Sequence, residues 1–162
     1  MNNIKIKSSS QPKTQDKIVP CLWCNDNALE KAQYYCSVFP APYSRILSTN
    51  PVMTTFELNG NKFMALNGQV DFEYNNTISF TITCKDQEEV DHYWNTFIND
   101  GGSDMDCAWC KDKYGMRWQI VPQRLVELMT DTDPAKASRV MQAMMKMQKI
   151  IIIDLETAYN QQ

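Results

Sequence analysis

The chain has 162 residues and a formal net charge of −3, a length that suits one domain with a sizeable core. The acidic balance argues against a nucleic-acid-binding protein, which normally shows a basic face. The longest conspicuous apolar run, Ile150–Ile153, falls far short of a membrane span, so neither nucleic acid nor membrane is expected as a partner.

The first 16 residues are polar and lysine-bearing, with no apolar stretch of the kind a secretory signal carries. They are expected to be a flexible lead-in. A cytoplasmic location follows as an expectation, and with it six reduced cysteines. Ile18 to Cys24 reads as a strand of buried character. Asn27 then starts a helix, with Glu30 three residues on in capping-box spacing. Ala28, Ala32, Tyr35, Cys36 and Phe39 form its apolar face, and Pro40 and Pro42 end it. "SRILST", "VMTTFELNG" and "KFMALNG" follow as strands, the last two joined at Asn59-Gly60, a strong hairpin signal.

The pattern then recurs. Thr77 to Cys84 reads as a strand, and Asp86 caps a helix with Glu89 three residues on. Val90, Trp94, Phe97 and Ile98 give that helix its apolar face, and Gly101-Gly102 end it. Two short strands and the closing strand "MRWQIV" complete a second β-α-β-β-β series. Asn27 and Asp86, Glu30 and Glu89, and the aromatic pairs Tyr34-Tyr35 and Tyr93-Trp94 all lie 59 residues apart. A shared offset for cap, acid and aromatic pair points to an internal repeat. Each half would be a curved sheet with a helix on one face, and pairing the halves would enclose a cleft lined by alternate strand residues. The fold class is therefore α+β: two βαβββ modules, about 17–67 and 77–122, with a helical extension over 123–162. In that extension Asp133-Pro134 is a good helix start. Val140, Met141, Met144 and Met145 make a stripe suited to core or dimer packing, or to an adaptable binding face. Lys146 and Lys149 are expected to point to water.

Several segments, in order, carry a family resemblance: "PCLWC", "MALNG", "CAWCKDKYGMRWQIVP" and "DPAKASRVMQAMMKMQKI". Together with the doubled βαβββ pattern they resemble the vicinal-oxygen-chelate superfamily of glyoxalase I, extradiol dioxygenases and bleomycin-resistance proteins. The nearer match is its PhnB-like group, often labelled 3-demethylubiquinone-9 3-methyltransferase. The resemblance implies the glyoxalase/bleomycin-resistance fold over 17–122, a ligand cleft and a homodimer. It implies a small-molecule ligand, with Cys21, Trp23, Asn67, Ser79, Thr81, Trp109 and Gln119 as cleft candidates.

Metal-dependent relatives place a glutamate ligand on the last strand, where this chain has Gln119. Their other ligands, commonly His, Glu and His, come from strands that here offer Pro20 or Cys21, Ala65 or Asn67, and Ser79. The only histidine, His92, falls on the second helix. Amides and hydroxyls make a poor site for a hard divalent ion, so no metal is expected. Gln119 then reads as a packing amide, a ligand-orienting amide or, least favoured, a ligand to metal. "CLWC" and "CAWC" read as buried thiols or as a zinc or disulfide pairing. An offset of three on a strand sends Cys21 and Cys24 to opposite faces, which favours the thiols. Trp23 and Trp109 read as core or as pocket walls. No G-x-G-x-x-G turn exists among only five glycines, so the methyltransferase label has no support in the residues and no cofactor is expected. Three functions stay open: a metal-independent PhnB-like protein binding a small cytosolic metabolite, a non-catalytic sequestering protein of bleomycin-resistance type, and a metal-dependent lyase or dioxygenase.

Overall fold

A computed structural model of the chain describes residues 17–69 and 73–161. The expected lead-in over 1–16 lies outside them. The chain divides into two compact units, Met1–Asp71 and Phe72–Gln162.

The first unit runs β1 (Cys21–Cys24), α1 (Ala28–Val38), β2 (Arg45–Thr49), β3 (Met53–Leu58) and β4 (Asn61–Asn67). Its sheet has the order β1-β4-β3-β2, with β1 parallel to β4 and the other pairs antiparallel. The second unit repeats this with β5 (Phe80–Cys84), α2 (Gln87–Asn99), β6 (Ser103–Asp104), β7 (Trp109–Lys111) and β8 (Arg117–Pro122). Its order is β5-β8-β7-β6, again with the first pair parallel. The expected pair of βαβββ modules is present.

Alternation sorts each sheet into two faces. In the first unit Leu22, Cys24, Phe56, Leu58, Phe63 and Ala65 are buried with Ala28, Ala32 and Tyr35 of α1. Phe56 stacks between Tyr35 and Phe63, at centroid distances of 6.5 and 5.5 Å. In the second, Ile82, Cys84, Cys110, Trp118 and Ile120 are buried with Val90, Trp94 and Phe97 of α2. Trp118 stacks on Phe97 at 5.0 Å. The Asn59-Gly60 hairpin forms as expected, both residues in the left-handed region (φ 48° and 77°), the turn that matches strand twist. Gly102 is required for another reason: a Cβ there would meet the carbonyl oxygens of Lys111 and Phe97 at 2.3 and 2.5 Å.

The repeat is offset by 59 for the helices, whose N-caps are Asn27 and Asp86, but by 60 for the strands. Buried Leu22 and Cys24 match Ile82 and Cys84. The first unit therefore carries one extra residue between strand and helix, and Asp26 absorbs it in the left-handed region at φ 57°. This changes the caps. Asp86 accepts from Glu89 N at 2.9 Å, and Glu89 reaches back to Lys85 N at 2.9 Å. Asn27 makes no side-chain cap bond, and its Oδ1 is buried without a partner. The expected capping box of α1 does not form; the distant Asn67 serves instead, accepting from Ala28 N at 2.8 Å.

The extension folds as α3 (Gln123–Met129), α4 (Pro134–Met144) and α5 (Ile152–Asn160). Asp133 caps α4, accepting from Ala135 N and Lys136 N. Leu125, Leu128, Val140, Ile150 and Leu155 bury together with Ala108. The methionine stripe splits: Met144 packs on this cluster, while Met141 and Met145 stay exposed. Lys149 does not point free to water as expected: its ammonium lies 2.7 Å from Asp91 of α2. That contact holds the Asp91 carboxyl below its usual range. No helix among the described residues is long and apolar enough to cross a membrane.

Candidate functional site

The closing turn of the second module explains its own sequence. Asp112, 1% exposed, accepts from Tyr114 N and Met116 N through Oδ1 and from the Trp118 indole through Oδ2. One carboxylate thus ties the turn of "KDKYGMRW" to the ring that packs on α2. With Trp118 fixed inward, alternation aims Arg117 and Gln119 at the opposite, open face of the sheet, while Val121, of the same parity, packs against the buried cluster of the helical extension.

Three of the candidate residues share that open face with Gln119. Trp109 lies directly across from it on β7, and Thr81 is its lateral neighbour on β5. Its Nε2 donates to Ser79 Oγ at 2.8 Å. The amide is half-buried, and this bond answers the need of a sheltered amide for a partner. It also leaves two groups without a partner among the described residues: the Gln119 carbonyl oxygen, an acceptor, and the Ser79 hydroxyl proton, a donor.

Cys21 and Trp23 lie on the corresponding open face of the first sheet, both exposed, while Leu22 and Cys24 turn to the helix. Trp23 rests its indole against Gly68, where any Cβ would meet Nε1 at 2.3 Å. Asn67 does not join them. It lies opposite Cys24 with the parity of buried Ala65, and both ends of its amide are engaged, with Ala28 N and with Pro51 O. The open-face residues of β4 are Met64 and Leu66, opposite Cys21 and Trp23. Sequence reasoning offered Ala65 or Asn67 there. The burial alternation of "KFMALN" was the available signal, since Phe63 and Ala65 suit a core and Met64 does not distinguish the faces.

The repeat makes the lateral pairs Cys21–Met64 and Thr81–Gln119 equivalent. Neither the thiol and thioether of the first pair nor the hydroxyl and amide of the second fit a hard divalent ion, which takes carboxylates and imidazoles. Among the described residues no three His, Cys, Asp or Glu side chains converge in a way that could hold a metal. His92 sits exposed on α2, in a surface groove with Glu88, Asp91 and Asn95. All six cysteines are free. Burial pushes the Cys84 and Cys110 thiols up to about 12, reinforced by Glu89 and Asp86 at the first and by Asp112 at the second. Neither is a nucleophile at neutral pH. Cys107 and Ala108 both take the left-handed region (φ 59° and 71°), held by Met147 and Gln148, whose carbonyls accept their N–H groups at 2.8 and 2.9 Å.

The family model described as 3-demethylubiquinone-9 3-methyltransferase matches residues 16–121. The chain belongs to that family. Its fold is similar to the PhnB protein from Bacillus cereus, at 28% identity and a TM-score of 0.57, covering 65% of this chain and 98% of that one. It is also similar to the protein PA1353 from Pseudomonas aeruginosa, at 19% identity and a TM-score of 0.52, covering 65% and 96%. No curated protein matches the chain. The family match ends near the close of β8, so α3, α4 and α5 are an addition to the 3-demethylubiquinone-9 3-methyltransferase domain.

Proposed function

We propose that this family member binds a small polar metabolite on the open face of its second sheet, without a metal ion. The observation that carries the reading is the Gln119–Ser79 hydrogen bond, half-buried beside Trp109 and Thr81. It presents an acceptor and a donor side by side, the complement of a ligand hydroxyl next to a carbonyl. Trp109 adds a flat apolar wall on the same face. Methyl transfer receives no support from the residues: each sheet is a mixed four-stranded βαβββ sheet, without the glycine-rich turn that opens a cofactor-binding α/β sheet. Metal independence is supported by the donor types on this face, the hydroxyls of Ser79 and Thr81 and the amide of Gln119. A homodimer is part of the proposal, supported by exposed Met141, Met145, Val126 and Ile153 on the added helices.

The test is a thermal-shift screen of small hydroxy-carbonyl metabolites with and without Mn²⁺ or Ni²⁺, repeated on Gln119→Leu. Stabilisation of the native chain that ignores the metal and disappears in Gln119→Leu is the expected result. Stabilisation that requires the metal overturns metal independence, and stabilisation that survives in Gln119→Leu overturns the site.

A further inference from the structure

The open face of the second sheet holds a second feature, one row along from Gln119. Lys111 of β7 and Arg117 of β8 are direct cross-strand partners. Side chains directly opposite on a sheet stand on one face a few ångströms apart, and like charges there repel. Both residues are half-buried, so each also bears part of the cost of leaving water. A chain with net charge −3 has acids to spare, yet among the described residues neither cation makes an ion pair.

Arg117 is nonetheless held firmly. Its Nε donates to Asn76 Oδ1 at 2.7 Å, and its Nη1 to the carbonyl oxygens of Tyr74 and Gly115. All three acceptors are neutral, so they aim the guanidinium without cancelling its charge. Its Nη2 has no acceptor among the described residues. A pre-aimed guanidinium edge beside an ammonium, on a sheltered face, is the arrangement that receives a carboxylate or phosphoryl oxygen pair.

We propose that Lys111 and Arg117 form an oxyanion-binding row and that the ligand of this face is an organic anion. The inference rests on the reading of Gln119 and Ser79 as ligand contacts and adds a dimension to it. Arg117 and Gln119 are two residues apart on one strand, about 7 Å. The ligand therefore carries its carboxylate or phosphoryl group roughly that far from the hydroxyl or carbonyl that Gln119 and Ser79 read, with a flat body between them against Trp109.

The experiment titrates the full chain by two-dimensional NMR at constant ionic strength with 4-hydroxybenzoate, 4-hydroxybenzamide and inorganic phosphate. The first two share a ring and a hydroxyl at the right span and differ in charge. Backbone signals of Lys111 and Arg117 should move with the acid and with phosphate. The acid should bind at least about tenfold more tightly than the amide. Lys111→Met keeps the side-chain length and removes one of the two charges, so it should weaken the acid severalfold and narrow its advantage over the amide, with Arg117 retaining the rest. Lys111→Arg should restore the acid and shows that the site remains folded. A response to the acid but not to phosphate assigns the row to carboxylates, and the reverse assigns it to phosphoryl groups. Equal binding of acid and amide, with the Gln119 side-chain amide moving in both, overturns the anion row and leaves the Gln119 reading standing. Movement of Lys111 and Arg117 without Gln119 keeps the row and overturns the other reading. No response to any of the three overturns the anion row.

Discussion

The buried carboxylate of Asp112 accepts the indole N–H of Trp118 at 2.8 Å beneath a turn whose tip, Lys113, is exposed. It orders the strand that carries Gln119 and Arg117, because the inward position of Trp118 sets the parity of both. Asp112→Ala strands the indole and two backbone N–H groups without acceptors, which should cost about 3–5 kcal/mol. Asp112→Asn keeps an acceptor for the backbone but turns an amide N–H₂ toward the indole N–H. It should still cost about 2 kcal/mol. Urea unfolding monitored by tryptophan emission measures both, and an Asn variant as stable as the native chain would contradict the account.

The two helix starts make opposite predictions for residues that look alike. Asp86→Ala removes a working cap and should cost about 1 kcal/mol. Asn27→Ala removes an oxygen that is buried without a partner, and should be neutral or stabilising. Asn67→Ala, 40 positions along the chain from Asn27, should cost about 1 kcal/mol or more, since it orphans Ala28 N and frees the Pro51 carbonyl. Equilibrium unfolding of the three variants tests the set, and a destabilised Asn27→Ala would show that the capping box operates in solution.

Much of this architecture was legible because it is local. Periodicity, the Asn59-Gly60 turn and the Asp133-Pro134 start each act within a few residues, and the doubled grammar exposed the repeat. The failures are long-range or depend on a single inserted residue. The extra position at Asp26 shifts the strand-to-helix phase of the first unit, and no rule for caps foresees that Asn67 then takes the role of Asn27. Lys149 looked like a solvated residue beside an apolar run, and its partner Asp91 lies on a distant helix. The shared face of Gln119, Ser79, Thr81 and Trp109 was legible, because strand alternation decides it. The pairing of Lys111 with Arg117 was not, because it requires the register of β7 against β8.

The buried thiols set a response to alkali. Cys84 and Cys110 are pushed up from 9.0 to about 12 in the folded chain, first by burial. Between those values the unfolded chain loses the protons and the folded chain keeps them, so stability is intact below pH 9 and falls as pH rises toward 12. Urea midpoints should decline across that window, and the decline should be shallower in Cys84→Ala and Cys110→Ala. Dithionitrobenzoate at pH 8 should modify exposed Cys21 first and leave buried Cys24, Cys84 and Cys110 until the chain unfolds. An equal rate for all six would show that the core opens readily.

The added helices are fastened to the second module by Gln87. Its Nε2 donates to the Ile150 carbonyl at 3.0 Å, and its Oε1 accepts from Ile152 N at 2.8 Å, so one amide pairs with the tail as a strand would. The Lys149–Asp91 contact sits beside it, and Ile150 and Leu155 are buried behind it. Gln87→Ala removes both backbone bonds and should cost about 1–2 kcal/mol. The loss should be local, since α2 keeps its cap at Asp86 and its apolar face. Hydrogen exchange reads this directly: the amides of Ile152 and Leu155 should exchange faster, while Val90 and Phe97 keep their protection. Gln87→Glu keeps the acceptor for Ile152 N but sets a carboxylate against the Ile150 carbonyl and beside Asp91, and it should loosen the tail at least as much. Unchanged exchange at Ile152 in both variants would mean that the apolar cluster of Leu125, Leu128, Val140 and Ile150 holds the tail without the amide.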